Sequence, residues 1–586
     1  MTTPTPLGTP DVAAPSVVAA ADAPRWDETV DVVVAGTGGS GLVAAVMAAD
    51  CGARVLVLEK GSETGGTTRK SGGGVWVPNN QFMQQLGLED SRDGAVHYMA
   101  ATAWPERYDA DSPTLGLDEL DHDLLCAFYD HGGEAFAELE RMAALRMLPL
   151  PDYPNYYCTV PQDVHKFGRT MGPSDPGGGA AEGPEMIRQL SAAIEARGGQ
   201  IVVDHRIVSA VVDGGRVVGV VAATPGGERW IHAAQAVILA TGGFTHNPAL
   251  RRAHLSGPVY GGCAAVTNEG DIVPIVEALG AELFNMDEAW NVPIVLERAL
   301  AHDPTLKGAF NIVGDRILCV NRAGVRAMNE KAVYNEATAP MRTPDGGSDY
   351  PNMLMFAVWD QGNQDDFNGS PYDGGVIPGP GAPDAHVVSG ADLAELATAL
   401  DERLATLADA TGGVRLAPDF AAQLARTIER FNGFARAGRD DDFGRGDSAI
   451  ERHMHRLAVN AARLGTDSGM AAMVTPEGVG WAVPVEPDAP GAGNPTMAPL
   501  SATGPYCATI LAAGTLDTKG GPRVDRHGRV LRPDATPIAG LYAVGNCAGS
   551  PTGHAYWGAG ATLGPMITYA WLAGQHAAGR DRVAAD

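Results

Sequence analysis

The sequence holds no cysteine pair at CxxC spacing, no histidine–cysteine cluster at metal-ligand spacing, and no apolar run long enough to cross a bilayer. Its seven cysteines stand singly along 586 residues, which argues against a disulfide framework and a structural metal and predicts reduced thiols in a cytoplasmic protein. Positive charge is scarce as well. Only 42 Lys and Arg face 70 Asp and Glu, and the net charge of −28 argues against non-specific association with nucleic acid or anionic lipid. No basic residue precedes Arg25, so residues 1–25, rich in Ala, Pro and Thr, lack the charged start of a secretory signal and read as a flexible tail. A neutral, apolar ligand is untouched by any of these absences.

What is present is an ordinary globular composition, 45% apolar and 19% charged, in a chain too long for one compact core, so two domains are expected. Residues 30–35 form a β-branched run that reads as a buried parallel strand. Gly36-Thr37-Gly38-Gly39-Ser40-Gly41 follows, then an alanine-rich helix over 42–50 and a second strand over 53–58 that ends at Glu59. GxGxxG alone is a weak signal in a chain with 75 glycines; between a strand and a helix, with an acid closing the unit, it is a dinucleotide fingerprint. Gly36 permits the tight turn, Gly38 lets backbone meet a pyrophosphate, and Gly41 allows close helix–strand packing. Phosphates then rest on the helix N-terminal amides near Gly39 and Ser40, and Glu59, followed by Lys60, accepts from ribose hydroxyls.

A second glycine and hydroxyl cluster, Gly65-Gly66-Thr67-Thr68 with Ser71-Gly72-Gly73-Gly74, is foreign to a simple NAD dehydrogenase. It resembles the second phosphate and flavin contact of FAD proteins in the fumarate reductase and ketosteroid dehydrogenase superfamily. Residues 200–203 and 206–221 read as strands of a small meander leading to an apolar strand that ends at Ala240-Thr241-Gly242. Three flavin-type signals imply FAD. No histidine lies between Asp31 and Val96, so the cofactor is expected to be held non-covalently there. Residues 393–407 and 420–437 have amphipathic helical patterns, and the Pro- and Gly-rich 474–500 reads as an irregular insertion or lid. The resulting layout is α/β: a discontinuous Rossmann-like FAD-binding domain over 26–290 and 516–586, with an α+β substrate domain over 291–515 and the site between them.

From residue 30 to 580 the chain resembles the flavin-dependent 3-ketosteroid dehydrogenases, particularly the Δ1 type. The resemblance rests on an ordered set: Gly65 to Pro78; Val320-Asn321-Arg322-Ala323-Gly324-Val325-Arg326 with Asn329-Glu330 and Tyr334; Gly514-Thr515-Leu516-Asp517-Thr518-Lys519-Gly520-Gly521; and Tyr556-Trp557-Gly558-Ala559-Gly560-Ala561-Thr562-Leu563-Gly564-Pro565. It implies a steroid-like substrate, hydride transfer from C1 to flavin N5, removal of the C2 proton by a tyrosine, and an external electron acceptor of the quinone or dye type. By that resemblance Tyr334 is the base, while Tyr556 and the Gly560 N–H polarise the C3 carbonyl. A supporting tyrosine is either Tyr153 or Tyr156. Further cofactor contacts are implied at Gly545, Asn546, Ala561, Thr562 and Leu563, and Asp271 is expected either to organise a loop near the flavin or to cap a helix. The family usually reads Tyr-Pro-Gly-Pro-Gly where this chain has Tyr556 to Gly560. Loss of both prolines is expected to loosen the turn, and Trp557 to add bulk at the substrate mouth.

The chemistry suits these residue types. A C–H beside a ketone becomes acidic only when its enolate is stabilised, and two donors on one carbonyl oxygen do this. A tyrosine serves as base only if its pKa of about 10 is lowered or its proton passes to a partner. His165, His246 and His554 are further acid–base candidates, His554 foremost because it precedes Tyr556 so closely. Three alternatives remain open, one of them a non-redox hydratase, isomerase or binding protein that keeps FAD as a structural element. Reduction of an unsaturated dicarboxylate needs arginine clamps, yet residues 541–565 contain no arginine. A Δ4-dehydrogenase acting on 5α-reduced ketosteroids has a different closing motif.

Overall fold

The computed structural model describes residues 16–151, 153–347, 349–370, 373–379, 385–464 and 493–580. The Val-rich strand Glu28–Ala35 lies at the centre of a sheet because both its faces are covered. Pro537–Ala543, Gly227–Leu239, Glu28–Ala35, Val55–Leu58 and Gln200–Val202 pair side by side in parallel, so a strand from the end of the chain completes a sheet begun at its start. Gly227–Leu239 is long enough to do two jobs. Its first half pairs antiparallel with Arg216–Thr224 in a meander with Arg206–Asp213, and its last residues hydrogen-bond to Leu541–Ala543.

The first helix is Gly39–Asp50, three residues longer at its start than the apolar pattern predicts, because the glycine loop itself supplies the first turn. Its small residues serve packing. A Cβ at Gly574 of the last helix, Leu563–Ala577, would overlap the Ala44 carbonyl, so the two helices touch backbone to backbone. The expected tail is shorter than residues 1–25. Ser16–Ala19 forms an edge strand in parallel register with Ser209–Val212, satisfying backbone groups that a free tail would leave to water, while residues 1–15 lie outside the described residues.

The inserted region builds an antiparallel sheet in which Tyr506–Thr518 pairs with Ala289–Val295, Leu354–Asp360 and Val387–Gly390. The amphipathic helices Leu393–Thr406 and Phe420–Ala437 bury Leu396, Leu400, Leu404, Leu424, Ile428 and Phe431 against it. Burying each such Leu, Ile or Phe contributes roughly 1.5–3 kcal/mol. Tyr506–Thr518 runs through the domain boundary expected at 515 and carries the inserted sheet into the first domain. Of the insertion or lid expected over 474–500, residues 474–492 lie outside the described residues. A third layer, not foreseen from the sequence, consists of the helices Arg92–Ala103 and Glu119–Arg141 with a small sheet of Val75–Trp76, Met147–Leu150 and Thr170–Pro173.

The Asn329-Glu330 pair of the second motif has a structural purpose. The buried Glu330 carboxylate accepts from Arg326 at 2.8 and 2.9 Å, from Arg445 at 3.2 Å and from the Cys319 N–H at 3.0 Å, and Arg326 also bonds Asp440 at 2.9 Å. Burial alone would push the Glu330 carboxyl up, but Arg326 and Arg445 hold it down to about 2. Glu330→Gln removes the carboxylate paired with the buried Arg445 and one of the two paired with Arg326, and is expected to lower the unfolding free energy by about 3–5 kcal/mol. A urea titration measures this, and an unchanged midpoint would refute it.

Candidate active site

Two cavities meet where the first and last segments of the chain join the inserted region. The first, a crevice of about 870 Å³, is lined by the 36–41 loop, Glu59, Lys60, Gly66, Thr67, Thr68, Ala240, Thr241, Gly242, Asp271, Gly545, Asn546, Thr562 and Leu563. Gly36 has φ +111°, and a Cβ there would overlap the Ala240 carbonyl, so the turn admits only glycine. A Cβ at Gly38 would meet nothing nearer than 3.9 Å. That missing side chain leaves the space a pyrophosphate needs at the helix N-terminus, so the residues fit a dinucleotide.

The Glu59 carboxylate accepts from the Thr37 N–H at 3.1 Å, the Thr37 hydroxyl and the Gly61 N–H at 2.8 Å, which fixes it at the end of its strand. Asp271 caps no helix; Ile272 is at the cap position. Asp271 instead pairs with Lys60 at 3.0 Å and Arg206 at 2.7 Å, tying the crevice wall to the meander. Ala561 lines neither cavity. It is fully buried behind the turn, with its N–H on the Gly558 carbonyl at 2.9 Å.

Sequence reasoning quoted Asp517 only as part of a motif, yet it organises this wall. Buried, it accepts from the Gly243 N–H at 3.0 Å, the Thr245 hydroxyl at 3.0 Å, Asn268 at 2.7 Å and Asn546 at 3.1 Å. Burial pushes its pKa up in spite of those donors. An acid at the end of a strand that returns to the first domain was the available signal.

The second cavity, about 1440 Å³, shares Thr67, Thr68, Asn546, Thr562 and Leu563 with the crevice. Ser71, Gly72, Gly73 and Gly560 line it, as do all four candidate tyrosines, Tyr153, Tyr156, Tyr334 and Tyr556. Three segments deliver the phenols. Tyr334 opens the short helix Tyr334–Ala337, Tyr556 sits in the C-terminal turn, and Tyr153 and Tyr156 belong to a loop after Met147–Leu150. The Tyr156 and Tyr334 hydroxyls are 3.1 Å apart, whereas the Tyr153 hydroxyl lies 2.8 Å from the Met454 sulfur. Ring centroids separate Tyr334 from Tyr556 by 5.0 Å and Tyr156 from Tyr556 by 5.4 Å. Thr562 donates to the Tyr556 hydroxyl at 3.2 Å. Burial pushes the pKa of all four phenols up.

Trp557 is not at the substrate mouth. It is fully buried, stacked on Phe128 at 6.0 Å and packed on Trp76 at 5.5 Å, and its carbonyl accepts from the Tyr156 N–H at 2.9 Å. Nor does loss of the family's prolines leave the turn loose. At Gly560, φ +93°, a Cβ would overlap the Gly74 carbonyl, and the Gly560 carbonyl accepts from the Trp76 N–H at 3.1 Å.

The candidate histidines line neither cavity. His246 contacts the Ala264 carbonyl at 3.1 Å, and burial lowers its pKa. His165 is held through its backbone, its carbonyl accepting from Asn155 at 2.9 Å. His554 stands 3.4 Å from Glu336, which in turn accepts from the Tyr157 hydroxyl at 2.8 Å. That hydroxyl accepts from the Tyr556 N–H at 3.1 Å, so His554 acts on the site only through its support. Lys519, also unforeseen, donates to the Gly553 and Ala555 carbonyls at 2.7 and 2.8 Å and lies 4.2 Å over the Trp290 ring, whose edge meets Tyr556 at 5.0 Å. Burial lowers its pKa to about 7.

The sequence profile of the FAD binding domain family matches residues 31–563. Among curated relatives, the 3-oxosteroid 1-dehydrogenase of Mycolicibacterium smegmatis is 29% identical, covering 93% of this chain and 96% of that one. The 4-oxocyclohexanecarboxylate 2-dehydrogenase of Sinomonas cyclohexanicum is 30% identical over 94% of this chain and 93% of its own. Among solved structures, the 3-ketosteroid Δ1-dehydrogenase from Sterolibacterium denitrificans in complex with 1,4-androstadiene-3,17-dione superposes with TM-score 0.75 at 25% identity, over 94% of this chain and all of that one. The chain belongs to the FAD binding domain family and is an FAD-dependent oxidoreductase of the superfamily that holds the 3-ketosteroid dehydrogenases and fumarate reductases.

Proposed function

We propose that the protein desaturates the C1–C2 bond of a 3-ketosteroid, with FAD in the crevice and the steroid A ring in the cavity that adjoins it. The observation that carries this reading is the convergence of Tyr156, Tyr334 and Tyr556 on a cavity that shares five wall residues with the dinucleotide crevice. Bound there, FAD supplies the two-electron acceptor for the C1 hydride, chemistry beyond any side chain.

The chain's own residues handle the proton and the carbonyl. Thr562 donates to the Tyr556 oxygen, which leaves the phenol proton of Tyr556 free to bond the C3 carbonyl beside the Gly560 N–H. Two donors on that oxygen stabilise the enolate-like charge that makes C2 acidic. Tyr334 takes the C2 proton. Because burial raises every phenol pKa here, a standing tyrosinate is disfavoured, and the adjacent Tyr156 hydroxyl gives the proton a neutral onward route. Tyr153 holds its loop against Met454. Reduction of a dicarboxylate is disfavoured because the described lining residues include no arginine.

Anaerobic mixing of the FAD-loaded protein with 4-androstene-3,17-dione and with a 5α-reduced 3-ketosteroid tests the reading. Flavin bleaching with a C1–C2 alkene as product is expected; a C4–C5 alkene would favour Δ4 chemistry, and no bleaching with either ketone would refute both. Tyr334→Phe and Tyr556→Phe should each retain flavin and lower turnover at least about 10²-fold. Tyr156→Phe should lower it more than Tyr153→Phe, and the reverse order would reassign the relay. His554 adds a pH-dependent contribution. The Glu336 hydrogen bond and charge raise its pKa, so the pair stabilises the fold fully below the ordinary histidine value and ceases to as pH rises through the raised one. With His554 partly exposed, the melting difference between wild type and His554→Gln should correspond to no more than about 1 kcal/mol near pH 6 and vanish by about pH 9; a difference constant across that range would contradict the pairing.

A further inference from the structure

Lysine is the scarcest charged residue, with six in the whole chain. Four are committed to the protein itself. Lys60 pairs with Glu269 and Asp271, Lys166 donates to the Cys158 carbonyl, Lys331 to the Ile312 carbonyl, and Lys519 to the turn that carries Tyr556. The other two, Lys70 and Lys307, both line the tyrosine cavity. Lys70 is half-buried at the end of the helix Gly66–Lys70, with one long contact of 3.4 Å to the Ala264 carbonyl, and Lys307 is exposed. Neither has a carboxylate within 4.0 Å among the described residues.

A half-buried ammonium without a counter-ion is costly, and a second cation on the same wall adds repulsion. Burial depresses the Lys70 pKa; Cys263 and Asp303 oppose the depression, and Arg298 and Lys307 add to it. The remaining wall carries one carboxylate, Glu182, and is otherwise largely apolar, with Leu150, Leu306, Phe310, Met454 and Leu516. An apolar ring ketone carrying an anionic group is the ligand that satisfies both features. We infer that Lys70 and Lys307 form a carboxylate subsite, and that the preferred substrate is a keto acid whose carboxylate meets these lysines while its ring ketone meets Tyr556 and Gly560. This rests on the dehydrogenase reading above and narrows its substrate class. A carboxylate between two ammonium groups makes charge-assisted hydrogen bonds, and the lysines need take no part in bond breaking.

Rapid anaerobic mixing of the FAD-loaded full chain, with no acceptor present, isolates the step. The probes are 3-oxoandrost-4-ene-17β-carboxylic acid and 3-oxochol-4-en-24-oic acid, each against its methyl ester, so that charge changes at two tether lengths. At least one acid is expected to half-saturate flavin reduction at about tenfold lower concentration than its ester, the range of a charge-assisted bond, and added salt should narrow the gap. Lys70→Gln and Lys307→Gln should each shrink the acid-over-ester ratio, the double variant should bring it towards one, and Lys70→Arg should largely keep it. Acids that bind no better than their esters, or a ratio unchanged in the double variant, would overturn the subsite while leaving the dehydrogenase reading intact. If neither acids nor esters reduce the flavin, that reading fails and the subsite falls with it.

Discussion

The site depends on one steric constraint: the backbone of the C-terminal turn lies directly against the backbone around Val75–Trp76. Gly558 faces the Trp76 ring, Gly560 the Gly74 carbonyl and Val75, and Gly564 the Trp76 carbonyl, with no space for a side chain at any of them. That contact fixes the register of everything the turn carries. Tyr556 and Thr562 are left facing the cavity, Trp557 is driven into the core against Phe128, and the Trp557 carbonyl is positioned to hold the Tyr156 loop. Glycine packing thus does here what proline rigidity does in the related motif.

Gathering several phenols in one apolar pocket sets a chemical condition. Desolvation makes each harder to ionise, and their mutual proximity adds to it. Base catalysis under that condition requires the proton to be handed on as the C–H bond breaks, which suits the 3.1 Å spacing of Tyr156 and Tyr334. The supporting charges sit behind this layer. Glu336 holds Tyr157, Tyr157 holds the Tyr556 backbone, and Lys519 holds the turn through the Gly553 and Ala555 carbonyls, so ions outside the cavity lining shape the site.

Much of this was legible from residues alone. The βαβ unit with its glycine loop could be read because strand, turn and helix are local features with fixed periodicity, and Tyr334 and Tyr556 because motifs embed them. The contact that sets Tyr156 beside Tyr334 was not legible, since it joins segments far apart in sequence. Trp557 misled for a related reason: adjacency to Tyr556 says nothing of the side on which a residue emerges from a tight turn. Asp517 and Lys519 were visible only as members of a motif, because their roles are defined by carbonyls and amides contributed by other segments. The layer between Val75 and Pro173 was not separated from the nucleotide fold, although its helix Glu119–Arg141 is as amphipathic as Leu393–Thr406.

The strand Tyr506–Thr518 begins as a member of the inserted sheet and ends with Asp517 bonded to Gly243 and Asn546 on the crevice wall. It therefore runs from one half of the molecule into the other, with a break in register at Leu516 just before the crossing. A clamshell motion would have to break the Asp517 bonds and bend a paired strand. The same strand thus ties the sheet of the inserted region to the wall of the dinucleotide crevice.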